Sequence, residues 1–260
     1  GFPAEAGRYH LVVALICPWA CRTLMARRLK RIENLIGVTV VEPELSAQGW
    51  RFSPGTDDAI SRGRTYLHEL YSQADPRYTG RSTVPVLWDR KTGTIVNNES
   101  ADILRMLNSA FDALAPASID LYPPDLRADI DALNDFIYPR LNNGVYRAGF
   151  ATAQLAYDEA FAEVFATLDG LERRIGASGF LFGDRLTEAD IRLFVTLVRF
   201  DAAYHGLFKC NLRRIADYPR LSAYLDRVLD VPGVRETVSI DHIKRGYYSI
   251  KALNPSGIVP

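Results

Sequence analysis

The chain has 260 residues, 48% of them hydrophobic, which is enough for one large domain or two smaller ones with a sizeable core. Its 31 basic and 31 acidic residues cancel, so its charge gives no reason to expect binding to nucleic acid or to an acidic membrane. No apolar run approaches the ~20 residues that span a bilayer, and the N-terminus lacks the pattern of a signal peptide. Three cysteines are too few for a disulfide framework. We therefore expect a cytoplasmic protein with no membrane or nucleic-acid partner.

The N-terminal part of the chain alternates strand and helix patterns. A continuous apolar run rich in β-formers predicts a buried strand over Tyr9–Ile16. Apolar residues at helical spacing predict a helix over Ala20–Leu35, ended by Gly37, and Val38–Val41 predicts a second strand. Strand, helix and strand in this order indicate a parallel pair with a right-handed crossover.

The next segment is long and mixed, with a helix predicted over Asp57–Ala74. Thr83–Trp88 predicts a third strand and Ile95–Asn97 a short fourth one. The close spacing of these two strands predicts an antiparallel hairpin. Asn98–Asn108 then predicts the next helix.

The remainder of the chain has helical patterns throughout. A proline-containing, loop-like stretch at 111–124 predicts a linker between a domain of residues 1–110 and an all-helical domain of residues 125–260. Thr187 and Asp190 have the spacing of a capping box at a helix start. The predicted helices are Asp125–Asn142, Leu155–Ile175, Thr187–Ala203, Pro219–Leu229 and Val234–Tyr248.

Cys17 lies where the first predicted strand gives way to the first helix. Free N–H groups and the helix dipole stabilise a thiolate there, and such placement lowers a thiol pKa from ~8.5 into the range of ~3.5–7.5. Pro18 supports the placement, because proline is favoured at the first helical position. Ala20 occupies the partner position of a C-x-x-C motif, so a dithiol couple is not expected. These features favour a reactive monothiol over the alternative, a buried and inert core cysteine.

The other two cysteines have no such context. Cys21 lies one turn further along the same helix face and is interpreted as a packing residue rather than a resolving thiol. Cys210 has no nearby ligand set. No grouping of cysteine and histidine has metal-ligand spacing, so no metal is expected.

Two dipeptides offer backbone and side-chain groups to a ligand. An X-Pro bond can be cis at modest cost, and a cis bond at Val84–Pro85 would leave the Val84 backbone available to an extended peptide ligand. A trans proline on an edge strand fits the spacing equally well. Glu99–Ser100 at a helix start offers N–H groups and a hydroxyl to a carboxylate, and a carboxylate to an ammonium group. Helix capping alone is the alternative.

Together these motifs resemble the cytosolic glutathione transferases, and more narrowly the glutathionyl-hydroquinone reductases, which form their Xi class. The resemblance extends over nearly the whole chain. It is carried by Phe2–Leu11, Cys17–Ala20, Thr83–Asp89, Asn97–Ser100, Asn142–Ala151, Phe208–Asn211 and Asn254–Gly257.

The resemblance implies an α/β thioredoxin-like N-terminal domain followed by an all-α C-terminal domain, the glutathione transferase fold. It implies a homodimer that reduces glutathionyl-hydroquinones to hydroquinones with glutathione as co-substrate. Cys17 is then the nucleophile, and the residues implied to hold glutathione are Trp50, Val84, Glu99 and Ser100.

Tyr138 and Tyr247 match positions where family tyrosines line the aromatic-substrate pocket, with Tyr146 and Tyr248 as close neighbours that leave this assignment open. Cys21 stands where the family motif has histidine. Two rival functions remain. One is an omega-like thiol transferase or dehydroascorbate reductase, and the other is a non-catalytic binding module with the same fold.

Overall fold

The computed structural model describes residues 1–55, 60–115, 119–176 and 179–260. The chain divides into two compact units. The N-terminal unit comprises Gly1–Ile119 and Glu236–Gly246, and the helical unit comprises Asp120–Arg235 and Tyr247–Pro260. The sequence patterns did not predict that 236–246 belongs to the first unit, because that membership depends on contacts between segments far apart in the chain.

A four-stranded sheet organises the N-terminal unit, in the order β2-β1-β3-β4. The strands are β1 (Tyr9–Val13), β2 (Ile36–Val40), β3 (Val86–Asp89) and β4 (Thr94–Asn97). β1 pairs with β2 in parallel, whereas the β1–β3 and β3–β4 pairs are antiparallel. The predicted parallel pair and the predicted hairpin are both confirmed. Every residue of β1 and β3 is buried, as their apolar sequences require.

Between residues 1 and 115, the helices described in this unit are α1 (Pro18–Leu29), α2 (Leu67–Ala74) and α3 (Ser100–Ser109). The prediction that α1 runs to Leu35 and is ended by Gly37 was wrong. α1 ends at Leu29, and Arg31 has a left-handed backbone with φ 54°. Gly37 lies within β2 instead, where a Cβ atom would meet Nδ1 of the buried His10 at 2.5 Å. The glycine therefore serves a close approach in the sheet rather than a helix end.

α2 is shorter than predicted. The predicted residues 57–59 lie outside the described residues, and residues 60–66 form turns and an isolated bridge rather than helix. The helix begins at Leu67, where the Glu69 carboxylate accepts from the Tyr66 amide at 2.8 Å. This local cap fixes the start of the helix at Leu67, whereas the spacing of apolar residues predicted a start at Asp57.

The helical unit contains α4 (Arg127–Ile137), α5 (Gly144–Gly149), α6 (Gln154–Arg174), α7 (Glu188–Arg199) and α8 (Pro219–Leu229), and α9 (Ile240–Tyr248) ends in it. Two π-helical turns, Tyr138–Asn142 and Phe200–Tyr204, extend α4 and α7 over the lengths that were predicted as single helices. α5 was not predicted. The helix predicted over Val234–Tyr248 begins only at Ile240, after a short 3₁₀ turn.

The capping box at the start of α7 is confirmed. The Asp190 carboxylate accepts from the Thr187 amide at 2.8 Å and from the Thr187 hydroxyl at 3.0 Å. The same carboxylate also accepts from the Leu181 amide at 2.8 Å and the Tyr224 hydroxyl at 2.9 Å. Asp190 is fully buried, so a residue predicted as a helix cap also links three segments of the helical unit. Within the described residues, no helix is both long and apolar enough to cross a bilayer.

Candidate active site

Cys17 is the N-cap residue of α1. Its backbone is extended, Pro18 is the first helical residue, and the Cys17 carbonyl accepts the first helical hydrogen bond from Cys21 N at 3.1 Å. The first turn carries no acidic side chain that would oppose a thiolate. The Cys17 side chain is half-buried, so the thiol has both the helix N-terminus and access to solvent. This is the position that the sequence predicted.

The sheet topology brings Val84 beside this thiol. β1 leads into Cys17, and β3 is antiparallel to β1, so the start of β3 lies at the edge where β1 ends. Cys17 Sγ lies 3.6 Å from the Val84 carbonyl oxygen. Of the two alternatives that the sequence left open, the Val84–Pro85 bond is cis. β3 begins directly after the proline, which therefore stays outside the strand ladder.

Glu99 and Ser100 begin α3 at the same edge, because β4 is antiparallel to β3 and leads towards them. The Glu99 carboxylate accepts from Ala101 N at 3.1 Å, so Glu99 does cap the helix. Its side chain is exposed, whereas Ser100 is buried and its hydroxyl lies 3.4 Å from Glu99 Oε1. Arg22 of α1 donates to the Ser100 hydroxyl at 3.4 Å and thereby connects the helix of Cys17 to this pair. Arg22 was not predicted as part of the site, because only the fold places it near Ser100.

Trp50 lies in the segment between β2 and α2. Its carbonyl accepts from Leu67 N at 2.9 Å and its side chain is partly exposed. Its assignment to glutathione stays a prediction.

The other cysteines are buried. Cys21 Sγ lies 3.6 Å from the Thr237 carbonyl within the N-terminal unit, which agrees with its interpretation as a packing residue. Burial raises the pKa of the Cys210 thiol to about 12, so this group stays protonated and unreactive near neutral pH. None of the three cysteines forms a disulfide.

A cluster of tyrosine hydroxyls lies in the helical unit. Tyr146, Tyr204 and Tyr247 are joined by hydroxyl contacts of 2.5 Å (Tyr146–Tyr247), 2.9 Å (Tyr204–Tyr247) and 3.4 Å (Tyr146–Tyr204). Burial raises the pKa of Tyr247 well above its ordinary value, so its hydroxyl stays neutral and can donate. The buried Phe208 ring stacks on Tyr204 and occupies the space that a Cβ at Gly149 would need, 2.4 Å from Phe208 Cγ.

The tyrosines predicted from the sequence have different surroundings. Tyr247 belongs to the cluster, whereas Tyr138 begins a π-helical turn and is 47% exposed. Tyr146, a neighbour left open by the sequence, is in the cluster, and Tyr204 was missed. With 13 tyrosines in the chain, no local pattern distinguishes Tyr204 from the rest.

The structure offers no cluster suited to a metal ion: among the described residues, no group of three or more histidine, cysteine, aspartate or glutamate side chains could hold one.

Two family models match the chain, and both describe domains of glutathione S-transferases. The family model described as the N-terminal domain of glutathione S-transferase matches residues 16–110, and the one for the C-terminal domain matches residues 154–227. The thioredoxin-like plus all-helical fold predicted from the sequence is thereby confirmed.

The individual relatives of the chain include two glutathionyl-hydroquinone reductases. The chain is 53% identical to the glutathionyl-hydroquinone reductase PcpF of Sphingobium chlorophenolicum, over all of this chain and 84% of that protein. It is also 53% identical to the glutathionyl-hydroquinone reductase YqjG of Escherichia coli, over all of this chain and 80% of that protein. The glutathione-bound structure of YqjG superposes with a TM-score of 0.97 over all of this chain and 86% of that one.

Glutathione transferase Xi 1 from Trametes versicolor is 47% identical, with a TM-score of 0.96 over all of this chain and 92% of that one. The chain therefore belongs to the Xi class of glutathione transferases, the family of the glutathionyl-hydroquinone reductases.

Proposed function

We propose that this protein reduces glutathionyl-hydroquinones to hydroquinones, with glutathione as co-substrate. The observation that carries the proposal is a half-buried cysteine at a helix N-terminus, at the same edge of the sheet as the Glu99–Ser100 pair and without a C-x-x-C partner. Such a monothiol suits chemistry that passes through a mixed disulfide with an external thiol. Two reductases of glutathionyl-hydroquinones, each 53% identical over the whole chain, support the same assignment.

In the first step, the Cys17 thiolate attacks the sulfur that joins glutathione to the aromatic ring. The new bond is the disulfide between Cys17 and glutathione, and the carbon–sulfur bond of the adduct breaks. The electron pair of that bond stays with the ring carbon, which takes up a proton and leaves as the hydroquinone.

In the second step, the thiolate of a second glutathione attacks the mixed disulfide on the sulfur of the bound glutathione. Oxidised glutathione leaves and the Cys17 thiolate is regenerated. The proton lost by this second glutathione balances the proton taken up by the ring. Two glutathionyl sulfurs are oxidised to one disulfide, and the ring gains the corresponding two electrons.

We assign glutathione binding to Trp50, Val84, Glu99 and Ser100. The Glu99 carboxylate suits the ammonium group of the γ-glutamyl end, and the N–H groups and the Ser100 hydroxyl at the start of α3 suit its carboxylate. The backbone of Val84 suits pairing with the peptide part of glutathione, and Trp50 offers an apolar face.

We assign the aromatic group to Tyr247 and Tyr138. Tyr247 is the better supported of the two, because its neutral hydroxyl is oriented by Tyr146 and Tyr204. A tyrosine provides a flat apolar face for a ring and a hydroxyl for a phenolic oxygen. We further propose that the protein is a homodimer of the cytoplasm, where free thiols and reduced glutathione persist.

Oxidised glutathione is expected to label Cys17 alone. Cys17 is the half-buried thiol at a helix start, whereas Cys21 and Cys210 are 1% and 0% exposed. Mass spectrometry of the treated protein should find one glutathionyl adduct, on the peptide that contains Cys17. Cys17→Ser should carry no adduct, while Cys21→Ser and Cys210→Ser, each made singly, should be labelled as the native protein is. A main adduct on Cys21 or Cys210 would contradict the proposal.

Tyr247→Phe is expected to lower the turnover of glutathionyl-hydroquinones by about 5- to 150-fold, since it removes a hydrogen bond worth roughly 1–3 kcal/mol. Tyr138→Phe should have a smaller effect, because solvent reaches the exposed Tyr138 side chain. Both variants should still accept glutathione on Cys17. Tyr157→Phe is the matched control, because its hydroxyl donates to the Lys209 carbonyl outside the cluster.

The same assays compare glutathionyl-hydroquinones with dehydroascorbate and small alkyl disulfides. Faster turnover of dehydroascorbate than of any glutathionyl-hydroquinone would favour the omega-like function. Absence of turnover with all of them, despite glutathione binding, would favour the binding module.

A further inference from the structure

Arg22 is a buried cation at the edge of the proposed glutathione site. Its side chain lies on α1 and only 2% of the residue is exposed. Its guanidinium carbon lies 4.5 Å from the centre of the Trp19 ring, an attractive cation–π arrangement. Because burying a charge costs free energy, a guanidinium held in this position indicates a role beyond packing.

The contact of Arg22 with Ser100 constrains the direction of the serine hydroxyl. Arginine has only donors, so the Ser100 oxygen must accept the hydrogen bond at 3.4 Å from Arg22 Nη1. The single hydroxyl hydrogen is then directed elsewhere, and Glu99 Oε1 lies 3.4 Å away to receive it. The same carboxylate oxygen accepts from Ala101 N at 3.1 Å. A continuous chain of contacts therefore runs from Arg22 through Ser100 to Glu99.

We propose that Arg22 is a positioning residue for glutathione, acting through Ser100 and Glu99. This inference rests on the proposed function. At 2% exposure, Arg22 is covered from solvent and acts on glutathione through the pair rather than by direct contact. Because Arg22 occupies a lone pair of the Ser100 oxygen, the hydroxyl hydrogen that points to Glu99 Oε1 can instead be donated to the ligand carboxylate. The positive charge of the guanidinium also adds to that of the α3 N-terminus, where this carboxylate binds.

The test measures glutathione binding in the 260-residue chain. Arg22→Met, made in a Cys17→Ser background that prevents mixed disulfides, should raise the Kd for glutathione about tenfold by calorimetry. Arg22→Lys keeps the charge but loses the planar fork, so the Kd should rise by about threefold. In the chain with Cys17 intact, the KM for glutathione should rise with the Kd, and kcat at saturating glutathione should change little. Thr23→Val is the matched control on α1, because it removes a buried hydroxyl whose bond goes to the Ala20 carbonyl.

A double-mutant cycle separates positioning from general destabilisation. If Arg22 acts through Ser100, then Arg22→Met combined with Ser100→Ala should bind glutathione no more weakly than the weaker single variant. Additive losses, or an Arg22→Met protein with native affinity, would overturn the inference. If Arg22→Met does not fold, the same cycle with Arg22→Lys decides, and native affinity in that variant overturns it. Failure of the unaltered protein to bind glutathione at all would contradict the proposed function instead.

Discussion

Replacement of Cys17 by serine is expected to lower glutathionyl-hydroquinone reduction about a thousandfold or more, to the level of the uncatalysed reaction with glutathione. The serine hydroxyl keeps the size and position of the side chain at the start of α1, but it forms no disulfide with glutathione. The measurement is the rate of hydroquinone formation with saturating glutathione. Because the proposed route has no second cysteine, no other thiol in the chain can replace Cys17.

Cys21→Ser is the control for this experiment and should retain most of the activity. Its side chain is buried against Thr237, and a serine hydroxyl can still donate to the Thr237 carbonyl. Full activity in the Cys17→Ser protein would contradict the mechanism. Low activity in the Cys21→Ser protein would instead show that the residue standing where the family has histidine takes part in the reaction.

Asp190→Ala is expected to be the most destabilising of the single substitutions considered. The variant leaves the donors of Thr187, Leu181 and Tyr224 without their buried acceptor. Unsatisfied buried donors and the lost helix cap together should lower the free energy of unfolding by about 3–5 kcal/mol. Chemical denaturation followed by circular dichroism measures this change.

Two further variants serve as references for the loss of stability expected in Asp190→Ala. Asp190→Asn keeps one oxygen acceptor in the same place and should lose less than alanine does. Asp158→Ala removes an exposed carboxylate of α6 that accepts a local bond from Gln154 at 2.7 Å, and its effect should stay within about 0.5 kcal/mol. Equal stability of Asp190→Ala and Asp158→Ala would show that the capping box has no wider structural role.

The sequence by itself determined the features that depend on neighbouring residues. Cys17 at the start of a helix follows from an apolar run broken by Cys-Pro-Trp-Ala, and Pro18 is in its favoured position. The Thr187–Asp190 cap follows from spacing within one helical turn. The order strand, helix, strand predicted the parallel pair, and the close spacing of two strands predicted the hairpin. The resemblance of motifs predicted the family. The helix start, the cap and the strand pairs depend on residues that are close in the chain, and the family follows from motifs that can be compared directly with those of known proteins.

Only the tertiary structure decided the features that depend on contacts between distant segments. The local pattern predicted Gly37 as the end of a helix, yet Gly37 lies in β2. A glycine is needed there because His10 on the neighbouring strand leaves no room for a Cβ atom. Arg22 is separated from Ser100 by 78 positions, and Tyr204 from Tyr247 by 43, so no periodicity relates them. Arg22 and Tyr204 differ from the other arginines and tyrosines of the chain only in the partners against which the fold buries them. A sequence pattern carries no information on which partners those are.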